Sequence, residues 1–201
     1  MSTPDASSSP LSPATVIGAD GPFSVAVQEL AFELGAEVAR LRAWPEVALK
    51  GGAVASFVGH VRSVEPDAAG PVVDALTLEH YPGMTERAIA AIIDEARCRF
   101  VLLGARVLHR VGRLGPGEPI VLVATASPHR RDAFESCEFL MDYLKTQAPF
   151  WKKESTAAGE HWVDARVADD AALARWGVVA GNAGDAPAAT MAPPTGESTD
   201  R

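Results

Sequence analysis

Four cations stand at the ends of predicted elements: Arg62, Arg130, Lys145 and Lys152. An acidic chain that gathers cations at such places can build an anion pocket. Lys145 falls at the border of the apolar face of a predicted helix. A border lysine usually snorkels. Partly buried, with its pKa lowered, it would instead serve as a proton acceptor or nucleophile. Ala148-Pro149-Phe150-Trp151-Lys152-Lys153-Glu154 follows a helix stop and reads as a loop. Its aromatics either plug the core while the lysines face water, or form a pocket wall with cationic heads aimed at an anionic ligand. His129-Arg130 opens the same helix, where the N-terminus attracts anions and an arginine can grip phosphate or carboxylate with two bonds. His60-Val61-Arg62 brings an arginine to the tip of an apolar strand.

Other chemistries are poorly supported. Histidines 60, 80, 109, 129 and 161 show no HxH or HExxH spacing, so no metal site is expected. There is no GxSxG, no P-loop and no GxGxxG after a strand. Cys98 and Cys137 form no CxxC pair and no disulfide framework. Cys137 lies on an apolar helix face and reads as core. Glu79-His80 reads as an acid–base pair or, more simply, a structural hydrogen bond.

The elements that must position these residues follow from periodicity. Leu30, Leu34, Val38 and Leu41 predict a helix over 28–43, with Pro45 limiting it. Strands are predicted at 52–61, 72–80, 105–111, 119–126 and 161–167, with turns at Tyr81-Pro82-Gly83 and Gly115-Pro116-Gly117. Ile89, Ile92, Ile93, Ala96 and Phe100 predict a helix over 84–100. The helix over 130–146 sets Ala133, Phe134, Cys137, Leu140, Met141 and Leu144 inward, and Asp132, Glu135, Glu138 and Asp142 outward as a solvated stripe. A last helical turn is predicted at 169–176. Strands and helices mix without a regular βαβ repeat, which argues for an α+β fold.

The chain has 201 residues, 47% of them hydrophobic and 22% charged, as in ordinary soluble globular proteins. A net charge of −8 disfavours general nucleic-acid binding. No apolar run is long enough to span a membrane, and the N-terminus lacks the basic and apolar regions of a secretion signal, so a cytoplasmic protein is expected. Residues 1–21 and 181–201 are rich in Ser, Pro, Ala, Gly and Thr and are expected to be disordered tails around one domain at 22–180.

Seven segments, in order, carry a resemblance: Gly59-His60-Val61-Arg62, Leu78-Glu79-His80-Tyr81-Pro82-Gly83-Met84, His109-Arg110-Val111-Gly112, Ser127-Pro128-His129-Arg130, Asp142-Tyr143-Leu144-Lys145-Thr146, Ala148 through Glu154, and Trp162-Val163-Asp164-Ala165-Arg166. From about Gly51 to Trp176 the chain resembles the large, catalytic subunits of molybdopterin synthase, the MoaE family. The resemblance implies an α/β-hammerhead-type domain with an added small β-subdomain. It implies a sulfurtransferase that converts cyclic pyranopterin monophosphate to molybdopterin. The sulfur would arrive as a thiocarboxylate on the C-terminal Gly-Gly of a small ubiquitin-like subunit. Two large subunits would form a central homodimer within a heterotetramer. Lys145 and Lys152 would be catalytic. His60, Val61, Arg62, His129, Arg130, Lys153 and Glu154 would hold substrate, and Arg166 would reach the pocket of the adjoining subunit. No metal or organic cofactor is implied, and no catalytic cysteine, because the partner brings the sulfur. Two other readings are a non-catalytic docking module for a ubiquitin-like tail and a partner-independent enzyme using Lys145 as a Schiff-base amine.

Overall fold

Short apolar runs bounded by glycine and proline become strands, and the strongest amphipathic repeats become helices, in a computed structural model that describes residues 15–63, 72–163 and 175–177. In chain order the elements are β1 (Thr15–Ile17), β2 (Phe23–Gln28), α1 (Leu34–Arg42), α2 (Pro45–Lys50), β3 (Ala53–His60), β4 (Val73–His80), α3 (Met84–Arg99), β5 (Gly104–Arg110), β6 (Gly112–Leu114), β7 (Pro119–Ser127), α4 (Arg130–Gln147), β8 (Phe150–Thr156) and β9 (Gly159–Val163).

The larger sheet has five strands in the order β1-β2-β5-β7-β3. β2 and β5 run parallel; the other neighbours are antiparallel. Alternation along the strands splits their side chains between two faces. Val25, Val27, Val107 and Val123 meet Ile89, Ile93, Phe139 and Leu140 of α3 and α4. On the other face Ala124 and Ala126 meet Leu41 and Val47 of α1 and α2. The result is a helix–sheet–helix stack. A second, antiparallel sheet has the order β6-β4-β8-β9 and its own small core of Val61, Leu76, Leu78 and Leu114. The expected α+β fold with an added small β-subdomain is therefore present.

Five local expectations are corrected. Thr15–Ile17, placed in a disordered tail, is a strand paired antiparallel with Val25–Val27. Pairing with a sheet edge supplies order that composition does not report. The helix expected over 28–43 begins only at Leu34, because the chain up to Gln28 pairs in register with β5. Leu30 is accordingly exposed rather than core. Pro45 opens a second helix instead of merely ending the first; proline is favoured at the first helical position, where no N–H is needed. Residues 148–154, read as a loop, run into β8 from Phe150 on, a strand paired with β4 and β9. The buried face of α4 includes Ser136, Phe139 and Tyr143, whereas Phe134 points to solvent at 67% exposure. The last predicted strand spans Gly159–Val163; residues 164–167 and 169–174 lie outside the described residues, as do 1–14 and the tail at 181–201. Arg175–Gly177 form a turn.

Candidate active site

Three chain segments converge at one end of the large sheet: the tip of β3, the last turn of α4 and the start of β8. Between them lies a cavity of about 730 Å³. His60, Arg62, His109, Lys145 and Lys152 line it, against an apolar wall that includes Phe57, Ile120, Met141 and Phe150.

Local geometry explains the placement. The β3–β7 register shifts between Gly59 and His60, a bulge that re-aims the strand tip. The tip is then clamped: the Val61 N–H donates to the Glu118 carbonyl at 2.9 Å, and the Gly117 N–H donates to the Val61 carbonyl at 2.8 Å. Gly117 has φ of 82°, a conformation that favours glycine. Val61 is buried in the small core, so it does not line the cavity, while His60 and Arg62 on either side of it do.

α4 ends because Pro149 holds Ala148 in extended backbone, with ψ of 125°. Lys145 therefore sits in the last turn, where the carbonyl ends of the helix favour a cation. It is exposed rather than partly buried. Beyond Pro149, strand alternation turns Phe150 and Lys152 to the cavity. Lys152 Nζ pairs with Glu154 Oε1 at 2.9 Å, and Glu154 Oε2 lies 3.6 Å from His161 Nε2. Lys153, on the other face, pairs with Glu160 at 2.8 Å and lies over the Trp162 ring at 5.5 Å; it does not line the cavity.

His129 and Arg130 are exposed at the opposite end of α4. Lys145 lies fifteen residues beyond Arg130, about 22 Å along the helix. A single chain thus does not bring this pair to the lysine cavity. Arg166 lies outside the described residues.

Sequence spacing alone does not point to two further buried groups. His109 stacks on Phe150, with ring centroids 3.8 Å apart and planes 17° apart, and its Nδ1 donates to the Arg110 carbonyl at 2.8 Å. Burial lowers its pKa to about 4, against the backbone hydrogen bond that raises it, and His80 lowers it further. Its placement beside Val107 and two residues on along β5 was the available signal. Glu86 is fully buried. Its Oε2 accepts from the Gly83 N–H at 2.5 Å, capping α3, and its Oε1 lies 3.6 Å from His80 Nε2 with no hydrogen bond among the described residues. His80 therefore meets Glu86, in the first turn of α3, rather than its sequence neighbour Glu79.

Cys137 is buried, as its apolar helix face predicts, and burial pushes its thiol up to about 11. Cys98 is exposed on α3. Among the described residues no three His, Cys, Asp or Glu side chains cluster in a way that would hold a metal ion. A smaller cavity of about 250 Å³ lies beside Arg106, but that guanidinium is already bound to Glu37 and Ser24.

The fold and cavity define an α+β enzyme scaffold with a cationic pocket joining its two sheets. The family model for MoaE protein matches residues 27–147. The molybdopterin synthase catalytic subunit of Ralstonia nicotianae is 58% identical over 166 residues, covering 82% of this chain and 90% of its relative. The solved MoaE protein of Burkholderia ambifaria is 57% identical, with a TM-score of 0.64, and covers 76% of this chain and 96% of that one. The molybdopterin synthase of Staphylococcus aureus is 31% identical, with a TM-score of 0.60, and covers 69% and 95%. The chain belongs to the MoaE family.

Proposed function

We propose that this chain acts as the catalytic subunit of a molybdopterin synthase. It transfers sulfur from the C-terminal thiocarboxylate of a small ubiquitin-like carrier to cyclic pyranopterin monophosphate, forming the dithiolene of molybdopterin. The observation that carries this reading is the convergence of Lys145, Lys152, Arg62 and His60, from three separate segments, on one cavity. The substrate's cyclic phosphate needs cationic donors, which Arg62 and His60 supply. Sulfur transfer from a thiocarboxylate passes through anionic intermediates, which the two ammonium groups stabilise in place. Glu154 acts on substrate through Lys152, by holding it. The carrier brings the sulfur, so neither cysteine is used.

The name of the relatives, catalytic subunit, implies a second subunit, and the carrier is that partner. His129 and Arg130 serve the reaction from a second copy of this chain, because their own copy sets them a helix length away from its lysines. Arg166 is assigned to the same shared wall. No helix among the described residues is long and apolar enough to cross a membrane; the reaction belongs to the cytoplasm. The test is reconstitution of the full chain with a thiocarboxylated ubiquitin-like carrier and cyclic pyranopterin monophosphate. Dithiolene product that requires all three components supports the reading. Carrier binding without product, or neither, overturns it.

A further inference from the structure

We infer that His109 is a substrate-contacting residue of this cavity, whose Nε2 accepts a hydrogen bond from a ring N–H of the bound pterin. The inference deepens the proposed function and rests on it. Its first support is the tautomer. Nδ1 lies 2.8 Å from the Arg110 carbonyl, which can only accept, so Nδ1 carries the proton and Nε2 carries the lone pair. The second is position. His109 is 9% exposed, lines the cavity and makes its hydrogen bond to the Arg110 carbonyl through Nδ1, so Nε2 is the ring nitrogen that a donor in the cavity would meet. The third is rigidity. β5 is an inner strand, with His109 set between Val27 and Val121, and the Phe150 ring fixes the imidazole plane. A group held in this way can discriminate between ligands.

Burial keeps the imidazole neutral at physiological pH, which preserves the acceptor. The division of the cavity then matches the substrate's chemistry. Arg62 and His60 take the cyclic phosphate, and Lys145 and Lys152 the reacting end. Phe57 and Met141 flank a flat ring. His109 reads a donor on that ring and disfavours an analogue that presents an acceptor there.

The test compares His109→Phe, which keeps a ring against Phe150 but has no acceptor, with His109→Gln, whose amide oxygen can replace Nε2. Each variant is assayed in the reconstituted complex with carrier and cyclic pyranopterin monophosphate, and its fold is checked by thermal unfolding. H109F is expected to raise KM by about 3–10-fold, the range of one lost neutral hydrogen bond, and H109Q to recover most of that. An unchanged KM in H109F, or equal impairment in both variants, overturns the inference. A second measurement needs no variant: in wild-type protein labelled with ¹⁵N-histidine, the His109 Nε2 resonance shifts on addition of cyclic pyranopterin monophosphate. No shift at saturation overturns the inference. If the wild-type complex makes no dithiolene, the proposed function fails, and the Nε2 resonance still reports whether His109 contacts the pterin.

Discussion

Lys152 Nζ lies 2.9 Å from Glu154 Oε1, two residues further along the same face of β8. The lysine side chain is 36% exposed and the glutamate 18%. The carboxylate therefore fixes where the ammonium sits rather than leaving a four-carbon chain free to wander. His161 approaches the other carboxylate oxygen at 3.6 Å.

Glu154→Gln is predicted to keep the strand and lose the grip on Lys152. A catalytic group displaced by a fraction of its reach loses rate steeply. Steady-state dithiolene formation should fall about 10-fold in kcat/KM, with the unfolding midpoint little changed. Unaltered kinetics would show that Lys152 needs no such anchor.

Lys145→Ala and Lys152→Ala should each lower kcat by about 10²–10³-fold, the usual cost of removing a donor that stabilises developing negative charge. Lys145 is exposed and Lys152 partly so. The stability change should stay near 0.5 kcal/mol, measured by urea denaturation. A large stability loss with proportional activity loss would assign the lysines to structure instead.

Much of this arrangement is legible in the sequence, and the exceptions share a cause. α3 and α4 match their predicted spans within a residue or so at each end, because an apolar stripe over four turns is hard to mimic. β3, β4, β5 and β7 also fall close to expectation. What was missed depends on long-range pairing. β1 and β8 are strands because β2 and β4 lie beside them, which no local pattern announces. The site was legible as residue types: Arg62, Lys145 and Lys152 do converge. The lysine environment was not legible. Border spacing allows a partly buried Lys145, which is exposed, while the buried group is His109, whose environment is built by Phe150 forty-one residues away. Val61 and Lys153 were grouped with their neighbours, yet alternation turns both away from the cavity.

Sulfur transfer should not depend on either cysteine. Cys137 is buried and its thiol is pushed up to about 11, so almost none is thiolate at neutral pH. Native protein treated with iodoacetamide should be modified at Cys98 alone, read by peptide mass spectrometry. The Cys98→Ser, Cys137→Ala double variant should retain dithiolene formation. Loss of product in that variant, with the fold intact, would place sulfur on the chain itself.

Stability should fall with acidification in a window set by His109. Its folded pKa of about 4 lies below the ordinary 6.5, chiefly through burial. Below pH 6.5 the unfolded chain binds a proton there that the folded chain refuses. The stability is therefore complete above 6.5 and is lost as pH falls toward 4, by up to about 3 kcal/mol. Urea midpoints at intervals across that window should show the decline, and H109F should show a shallower one. Equal slopes in the two proteins would mean that His109 titrates normally.

Asp142 should prove an anchor rather than a solvated acid. It was expected to face water with Asp132, Glu135 and Glu138. Instead its Oδ2 accepts from Trp176 Nε1 at 2.8 Å and from Arg175 Nη2 at 2.5 Å, and Glu138 joins Arg175 at 2.8 Å. Trp176 sets its ring edge-on against Phe100 and Phe139, and its carbonyl accepts from Arg99 at 2.7 Å. A partly buried indole with these contacts should cost about 2 kcal/mol when cut to alanine, less than a fully buried one. Asp142→Ala should cost about 1–2 kcal/mol, since it removes hydrogen bonds to a cation and to an indole. The two losses share one contact, so the double variant should fall short of additivity by about 1 kcal/mol, read from urea denaturation of all four proteins. Strict additivity would show that the indole and the carboxylate stabilise the chain separately, and that the aromatic contacts alone hold Trp176 on α4.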